Sequence, residues 1–215
     1  MNKTISNFLY IGSGIGFTLK LTFGGVLIGI MGGILLAVLR YSGIGRSFIN
    51  GIISFLRGTP LLLQLSFIYF IAPDIIGHRF DLLSAGILAF GINSSAYVAE
   101  ILRAGIESLP KGQFEAARTL EIPRFYMWKD IILPQVVANT FPAMINEIIA
   151  VLKETVVIAM MGGMDIMRRA QTVAAEQYEY FLPLCMAGIY YYGLVLLIGF
   201  IGKKIENRNY YVKNL

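Results

Sequence analysis

Apolar residues are concentrated in long runs along the chain, separated by shorter polar segments. An α-helix needs roughly 20 mostly apolar residues to cross a hydrocarbon core. The pattern predicts five membrane-spanning helices, at about residues 17–39, 52–72, 82–102, 135–161 and 182–201. A polar stretch at about residues 108–134 cannot span and is predicted to lie outside the membrane. The expected fold class is therefore an all-α integral membrane protein whose 215 residues form a single domain.

Composition agrees with this interpretation, because 56% of the residues are hydrophobic and only 14% are charged. The single cysteine, Cys185, excludes an internal disulfide. We predict no removable signal peptide, since Lys20 interrupts the first apolar stretch and no small-residue cleavage site follows a short apolar core. The net charge of +5 does not predict nucleic-acid binding, because the basic residues cluster at the ends of apolar runs.

The basic residues also predict the orientation of the chain. Loops that face the cytoplasm carry an excess of Lys and Arg. With five spans, one set of loops contains Arg40, Arg46, Arg57, Arg103, Lys111, Arg118, Arg124, Lys129, Lys203, Lys204, Arg208 and Lys213. The opposite set contains only Lys3, Arg79, Arg168 and Arg169. We therefore predict an N-terminus outside, a C-terminus in the cytoplasm, and residues 108–134 on the cytoplasmic side.

The first predicted span carries glycines at four-residue spacing, Gly25, Gly29 and Gly33. Small residues spaced in this way allow two helix backbones to approach closely. The pattern is compatible with packing inside the chain and with packing against another subunit.

The polar stretch contains a short predicted helix between Ser108 and Pro123. Pro110 is tolerated in a first helical turn and Pro123 ends the helix. Phe114, Ala117 and Leu120 recur at three-residue spacing and give it one apolar face. Amphipathicity alone is equally compatible with a helix resting on the bilayer surface.

The segment Glu115-Ala116-Ala117, followed by Ile131, Leu133 and Pro134, resembles the EAA loop of ABC-transporter permease subunits. Every fixed position of that pattern matches except its glycine, which is Glu121 here. Because glycine permits a left-handed turn, this difference affects the expected turn geometry. The resemblance implies that this loop docks onto an ATP-hydrolysing subunit through Glu115, Ala116, Ala117, Arg118 and Leu120.

Residues 55–64, 93–105, 152–155 and 168–171 resemble polar amino acid uptake permeases, such as those for histidine, glutamine and arginine. This resemblance implies a type I ABC importer permease fold in a bacterial inner membrane. It also implies a second permease subunit, identical or related, cytoplasmic ATPase subunits and an extracytoplasmic amino-acid-binding protein. The chain would then be half of a permease dimer.

No catalytic or metal-binding residues are predicted. The sequence contains no Gly-x4-Gly-Lys-Ser/Thr phosphate loop, and His78 is its only histidine. We therefore expect a non-catalytic transport subunit without a cofactor of its own. ATP and Mg would be bound by the partner subunit.

The fourth predicted span carries ionisable residues, which need a partner or a polar cavity inside a membrane. Glu147 and Glu154 share one helical face, and Asn146 and Lys153 repeat the same spacing on the adjacent face. We predict that these faces bind an amino acid substrate, with Glu147 or Glu154 receiving an ammonium group and Lys153 a carboxylate. Two acids against one base favour a cationic substrate such as arginine, lysine or histidine. The alternative is a salt bridge from Lys153 to a glutamate that holds two helices or two subunits together.

Other polar residues are weaker candidates. Asn93 and Tyr97, in the third span, are predicted to face the cavity. Glu100 and Arg103 are predicted to form an intrahelical pair or a cytoplasmic gate contact. Asp165, in the outer loop at residues 161–165, is a possible gate residue facing the binding protein.

The intramembrane Glu and Lys residues also suit a second class of protein, an ATP-independent membrane carrier or channel component for small polar solutes. Such carriers commonly contain paired repeats with discontinuous helices, and no internal repeat is evident in this sequence. The segment around Glu115 discriminates between the classes, because a stand-alone carrier needs no ATPase dock.

Overall fold

The structure is a computed structural model that describes residues 3–43 and 45–213. Within those ranges the regular structure is entirely helical, with no strand, which confirms the all-α prediction. In chain order the helices are α1 Lys3–Gly12, α2 Ile15–Ser42, α3 Arg46–Gly58, α4 Leu61–Ser66, α5 Ala72–Ile76, α6 Leu82–Glu107, α7 Lys111–Thr119, α8 Arg124–Tyr126, α9 Leu133–Glu154, α10 Ile166–Gln177 and α11 Phe181–Lys213. Phe67–Ile71 and Met127–Ile132 are π-helical, and Thr155–Met161 is a 3₁₀-helix.

Helices α2 and α6 form the centre of the molecule. Gly25, Gly29 and Gly33 are buried on α2 against α6. A Cβ atom at Gly29 would lie 2.7 Å from Ser94 Oγ, and one at Gly33 would lie 2.5 Å from the Val98 side chain. The glycine pattern therefore serves packing within the chain.

Apolar side chains from the other elements surround this pair. One cluster joins Leu21 and Phe90 with Leu65 of α4, Val151 of α9 and Ile158 of the 3₁₀ segment. A second cluster packs α1, α10 and α11 together through Ile11, Ile166, Ala170, Val173, Met186 and Ala187. Beyond this contact α11 is largely exposed, which leaves its apolar surface available to lipid or another subunit.

The stretch predicted as a span at residues 52–72 is broken. Helix α3 ends at Gly58, and the following Leu61–Ile76 limb is bent from it by 103°. Thr59 is extended, with φ −111° and ψ 143°, because the ring of Pro60 disfavours the α conformation in the residue before it. The Thr59-Pro60 dipeptide thus turns one predicted helix into two.

The remaining predicted spans coincide with helices that start or end a few residues away. By length and composition, Lys3–Ser42, Leu82–Glu107 and Phe181–Asn207 can each cross a membrane, and the bent pair can provide a fourth span. Helix α9 is less apolar than these because of its polar and charged residues. It continues through Pro142 to Glu154 and then tightens into the 3₁₀ segment. The count of five spans stays a prediction.

Candidate functional site

Helix α7 carries the predicted docking residues and packs against the ends of α6 and α9. Its Ala117 is buried in an apolar cluster with Leu109, Met127, Ile132 and Val136. Glu115, Ala116 and Arg118 are exposed on the opposite side. The helix therefore presents a small, polar surface to solvent while one face fixes it to the rest of the chain.

The predicted apolar face of α7 is only partly correct. Phe114 and Ala117 pack inwards, but Leu120 is 72% exposed. The helix ends at Thr119, so Leu120 no longer follows the three-residue repeat. Its side chain instead extends the exposed surface.

Glu121 forms the left-handed turn that the EAA pattern assigns to glycine. Its φ is 56°. The Ile122 N–H donates to Ala117 O and the Glu121 N–H donates to Arg118 O, both at 3.0 Å. These two bonds form the Schellman motif that ends many helices. The turn is thus retained with a glutamate in place of glycine.

Two glutamines connect α7 directly to α9. Gln113 Nε2 donates to Gln135 Oε1 at 3.0 Å, and Gln135 Nε2 donates back to Gln113 Oε1 at 2.8 Å. Close by, Gly105 of α6 lies so near Thr140 that a Cβ atom would be 2.2 Å from its methyl group. Helix α7 is therefore joined to α9 by hydrogen bonds, and α9 is in turn packed closely against α6. No local pattern in the sequence indicates this amide pair, since its members are 22 residues apart.

The ionisable residues of α9 have different surroundings. Glu147 is half-buried, and its Oε1 accepts a hydrogen bond of 2.6 Å from Ser94 Oγ. Asn146, Lys153 and Glu154 are exposed on the surface of the chain. Among the residues with described side chains, Lys153 forms no salt bridge. An ion pair from Lys153 to a glutamate within the chain is therefore not formed.

Asn93 and Tyr97 make their polar contacts with the α3–α4 bend. Asn93 Nδ2 donates to Leu56 O at 3.1 Å and to Gln64 Oε1 at 3.3 Å. The Arg57 guanidinium lies 5.4 Å from the centre of the Tyr97 ring, a cation–π contact. The structure therefore brings these two residues to the bend, whereas Ser94 provides the contact with Glu147.

Glu100 is the centre of an ion network at the end of α6. Its two oxygens contact Arg40 Nη1 at 2.6 Å, Arg103 Nη2 at 2.9 Å and Arg57 Nη1 at 3.7 Å. Arg103 also pairs with Glu107. The predicted Glu100–Arg103 pair is formed, but it belongs to a network that joins α2, α3 and α6. Arg40 was not expected in it, because no local pattern links it to Glu100.

Asp165 is fully buried, so in this conformation its side chain cannot contact another protein. Its Oδ1 accepts from the Arg168 N–H at 2.8 Å and caps α10, and its Oδ2 accepts from the Tyr191 hydroxyl at 2.9 Å. The Tyr191 hydroxyl also lies 3.4 Å from Thr155 Oγ1, where the 3₁₀ segment begins. Asp165 thus connects the start of α10 to Tyr191 of α11, whose hydroxyl also lies beside the start of the 3₁₀ segment.

Comparison with known proteins gives a consistent result. Residues 29–209 match the family described as binding-protein-dependent transport system inner membrane component. The chain is similar to a putative glutamine transport system permease protein, GlnP, of Rickettsia typhi, with 49% identity over 96% of this chain and 95% of that protein. It is also similar to the arginine transport system permease protein ArtQ of Bacillus subtilis, with 42% identity over 96% and 95% of the two chains.

Solved structures agree with these relatives. The chain matches one from a crystal structure of an amino acid ABC transporter with histidines, at 36% identity and a TM-score of 0.87, over 95% of this chain and 96% of that one. A chain of the MetNI methionine ABC transporter matches at a TM-score of 0.73 and 19% identity, over 97% and 99% of the two chains, and supports the fold alone. These matches confirm the resemblance on which the sequence interpretation relied.

Proposed function

The chain belongs to the family of binding-protein-dependent transport system inner membrane components, and from this premise we propose that it is the permease subunit of an ATP-driven amino acid importer. Its fold is that of a type I ABC importer permease, and it is a multi-pass inner membrane protein. The main support for the proposal is the position of α7. Its exposed docking surface is connected to the polar helix α9 by the Gln113–Gln135 amide pair.

In this proposal α7 lies in the cytoplasm, with the N-terminus outside and the C-terminus inside, as the distribution of basic residues predicts. Glu115, Ala116, Arg118 and Leu120 contact the ATPase subunit, and buried Ala117 fixes α7 to its own chain. Small alanines allow close approach of the partner. When the ATPase moves α7, the paired glutamines pass that movement to α9, and the Gly105–Thr140 contact couples α9 to α6.

The translocation path runs along the outward polar face of α9. Exposed Lys153 and Glu154, beside the polar Asn146, cannot face hydrocarbon, because each charge there would cost about 3 kcal/mol on insertion scales. A second permease subunit, identical or related, therefore covers this face and encloses the path. An extracytoplasmic binding protein delivers the substrate from the outer side. There the segment around Asp165, which connects α10 to α11, moves as a gate.

The substrate is a polar amino acid. The relatives are named for glutamine and arginine, and α9 supplies groups for both charges of an amino acid. Glu154 receives the ammonium group or a cationic side chain, and Lys153 receives the carboxylate. Glu147 is partly engaged by Ser94 and contributes its negative charge to the site. Two acids against one base favour arginine, lysine or histidine. Asn93 and Tyr97 act indirectly, through the bend that they support.

Equilibrium binding of all twenty amino acids to the purified permease in detergent tests this proposal, with Glu154→Gln as the main variant. We expect saturable binding of a cationic amino acid, weakened by about 10- to 100-fold in the variant, the effect of removing a charged hydrogen-bond partner. Glu176→Gln, which removes an exposed carboxylate from α10, is the matched control. Unchanged binding of a cationic amino acid to Glu154→Gln would remove this residue from the site.

A further inference from the structure

A small cavity lies where α2 ends and α3 begins. Its volume is about 120 Å³, and it is lined by Arg40, Tyr41, Arg46, Arg103 and Glu107. The three arginines come from three different helices, α2, α3 and α6. We call this cavity the basic corner. It plays no part in the transport role proposed above.

The basic corner has an excess of positive charge. Three guanidinium groups line it against one carboxylate, that of Glu107, which is paired with Arg103, and Glu100, outside the lining, pairs with Arg103 as well. Arg40 is paired with Glu100. Arg46 has no carboxylate within 4.0 Å among the residues whose side chains the structure describes. An anion can therefore bind Arg46 without displacing an existing partner.

The start of α3 adds hydrogen-bond donors to this charge. The first N–H groups of a helix have no partner within it and favour anions. Helix α3 begins at Arg46 after Gly45, which has no side chain to accept from them. Among the described residues no side chain caps these N–H groups, so they add donors beside Arg46.

The position of the corner identifies the anion as part of a lipid. Helices α2 and α6, both long enough to span, end at this level. Helix α3 runs across the direction of the following limb, at 103° to it. Its Ile49 and Ile53 pack against Ala96 and Ala99 in the core. Phe48 and Phe55 of the same helix are 72% and 66% exposed, so they can contact acyl chains. A basic cavity at a membrane surface beside exposed aromatic side chains matches the chemistry of an anionic phospholipid.

We infer that the basic corner binds the headgroup phosphate of an anionic phospholipid at the cytoplasmic surface of the membrane. Arg46 and the first turn of α3 hold the phosphate. Arg40 of α2 and Arg103 of α6 add their positive charge. Because Arg40 and Arg103 also contact Glu100, a bound headgroup stabilises the junction of α2, α3 and α6.

Native mass spectrometry of the full chain, titrated in neutral detergent with dioleoyl phosphatidylglycerol, tests this inference. We expect one saturable site that Arg46→Gln weakens about fivefold or more, since each basic group near a lipid surface contributes an effect of that order. Added salt should weaken binding to the unaltered chain. Lys203→Gln, which removes an exposed charge from α11, should leave binding unchanged.

Three results would overturn the inference. Equal phosphatidylglycerol binding by Arg46→Gln and the unaltered chain would exclude the corner as the site. Equal binding of zwitterionic phosphatidylcholine would exclude recognition of an anion. Displacement of the lipid by inorganic phosphate at comparable concentration would make this a site for free phosphate. Because no transport is measured, these outcomes are independent of the proposed importer function.

Discussion

Helices α2 and α9 both pack against α6, yet their polar and small residues serve opposite purposes. The glycines of α2 are buried against α6 of the same chain. The charged residues Lys153 and Glu154 of α9 are exposed on the surface of the chain. The glycines of α2 therefore find their packing partners within the same chain. The charged side chains of α9 do not, and they need water, a substrate or another subunit as a partner.

The largest effect should come from filling the close contact between α2 and α6. Gly33→Leu places a Cβ atom 2.5 Å from Val98 and 3.0 Å from the Ser95 carbonyl oxygen. Because backbone must move, we expect a loss of about 3 kcal/mol or more in the free energy of unfolding. The thermal unfolding midpoint in detergent measures this loss of stability. Gly199→Leu, where no atom lies within 4 Å, is the matched control. Equal midpoints for the two variants would show that α2 is not held in this way.

A smaller effect should come from the contact between α11 and the start of α10. Tyr191→Phe removes the hydroxyl that donates to buried Asp165 and leaves one carboxylate oxygen without that donor. We expect a loss of about 1–3 kcal/mol in the free energy of unfolding, the cost of an unsatisfied buried acceptor. Tyr192→Phe alters a residue that is 65% exposed and should have almost no effect. If both variants unfold at the temperature of the parent, the hydrogen bond from Tyr191 to Asp165 does not stabilise the packing of α11 against the start of α10.

The smallest effect concerns the turn after α7. Glu121 adopts a left-handed conformation that glycine enters without strain. Glu121→Gly should therefore raise the free energy of unfolding by up to about 1 kcal/mol, reduced by the greater freedom of glycine in the unfolded chain. Thr119→Gly, at the last residue of the helix, should lower it by a few tenths of a kcal/mol. Marked destabilisation by Glu121→Gly would indicate that the Glu121 side chain has a structural role that its exposure does not reveal.

The features predictable from the sequence are those that depend on neighbours along the chain. The apolar runs anticipate α2, α6, α9 and α11 because hydrophobic length and period are local properties. The helix at α7 is anticipated by its prolines and by the EAA pattern. The local sequence also indicates the break at Thr59-Pro60, since a proline disfavours the helical conformation in the residue before it. A single span was nevertheless expected there, because the apolar run continues across it.

The contacts that connect these helices were not predictable. Arg40 meets Glu100, Gln113 meets Gln135 and Ser94 meets Glu147 across 60, 22 and 53 residues. Such pairs depend on how the helices pack, and no periodicity in one segment encodes a partner in another. The burial of Asp165 is similar, because it depends on Tyr191 of α11, 26 residues away, packing against the start of α10.

Reaction of single cysteines with a water-soluble thiol reagent tests most directly whether the outward face of α9 lines an aqueous path. In the assembled transporter, with Cys185→Ser as background, Glu154→Cys should react, and added substrate should slow its labelling. Phe23→Cys is the control, because Phe23 is 74% exposed on apolar α2 and is expected to face lipid. The account predicts fast labelling of Glu154→Cys and none of Phe23→Cys. Glu154→Cys as unreactive as Phe23→Cys would contradict a transport path along α9.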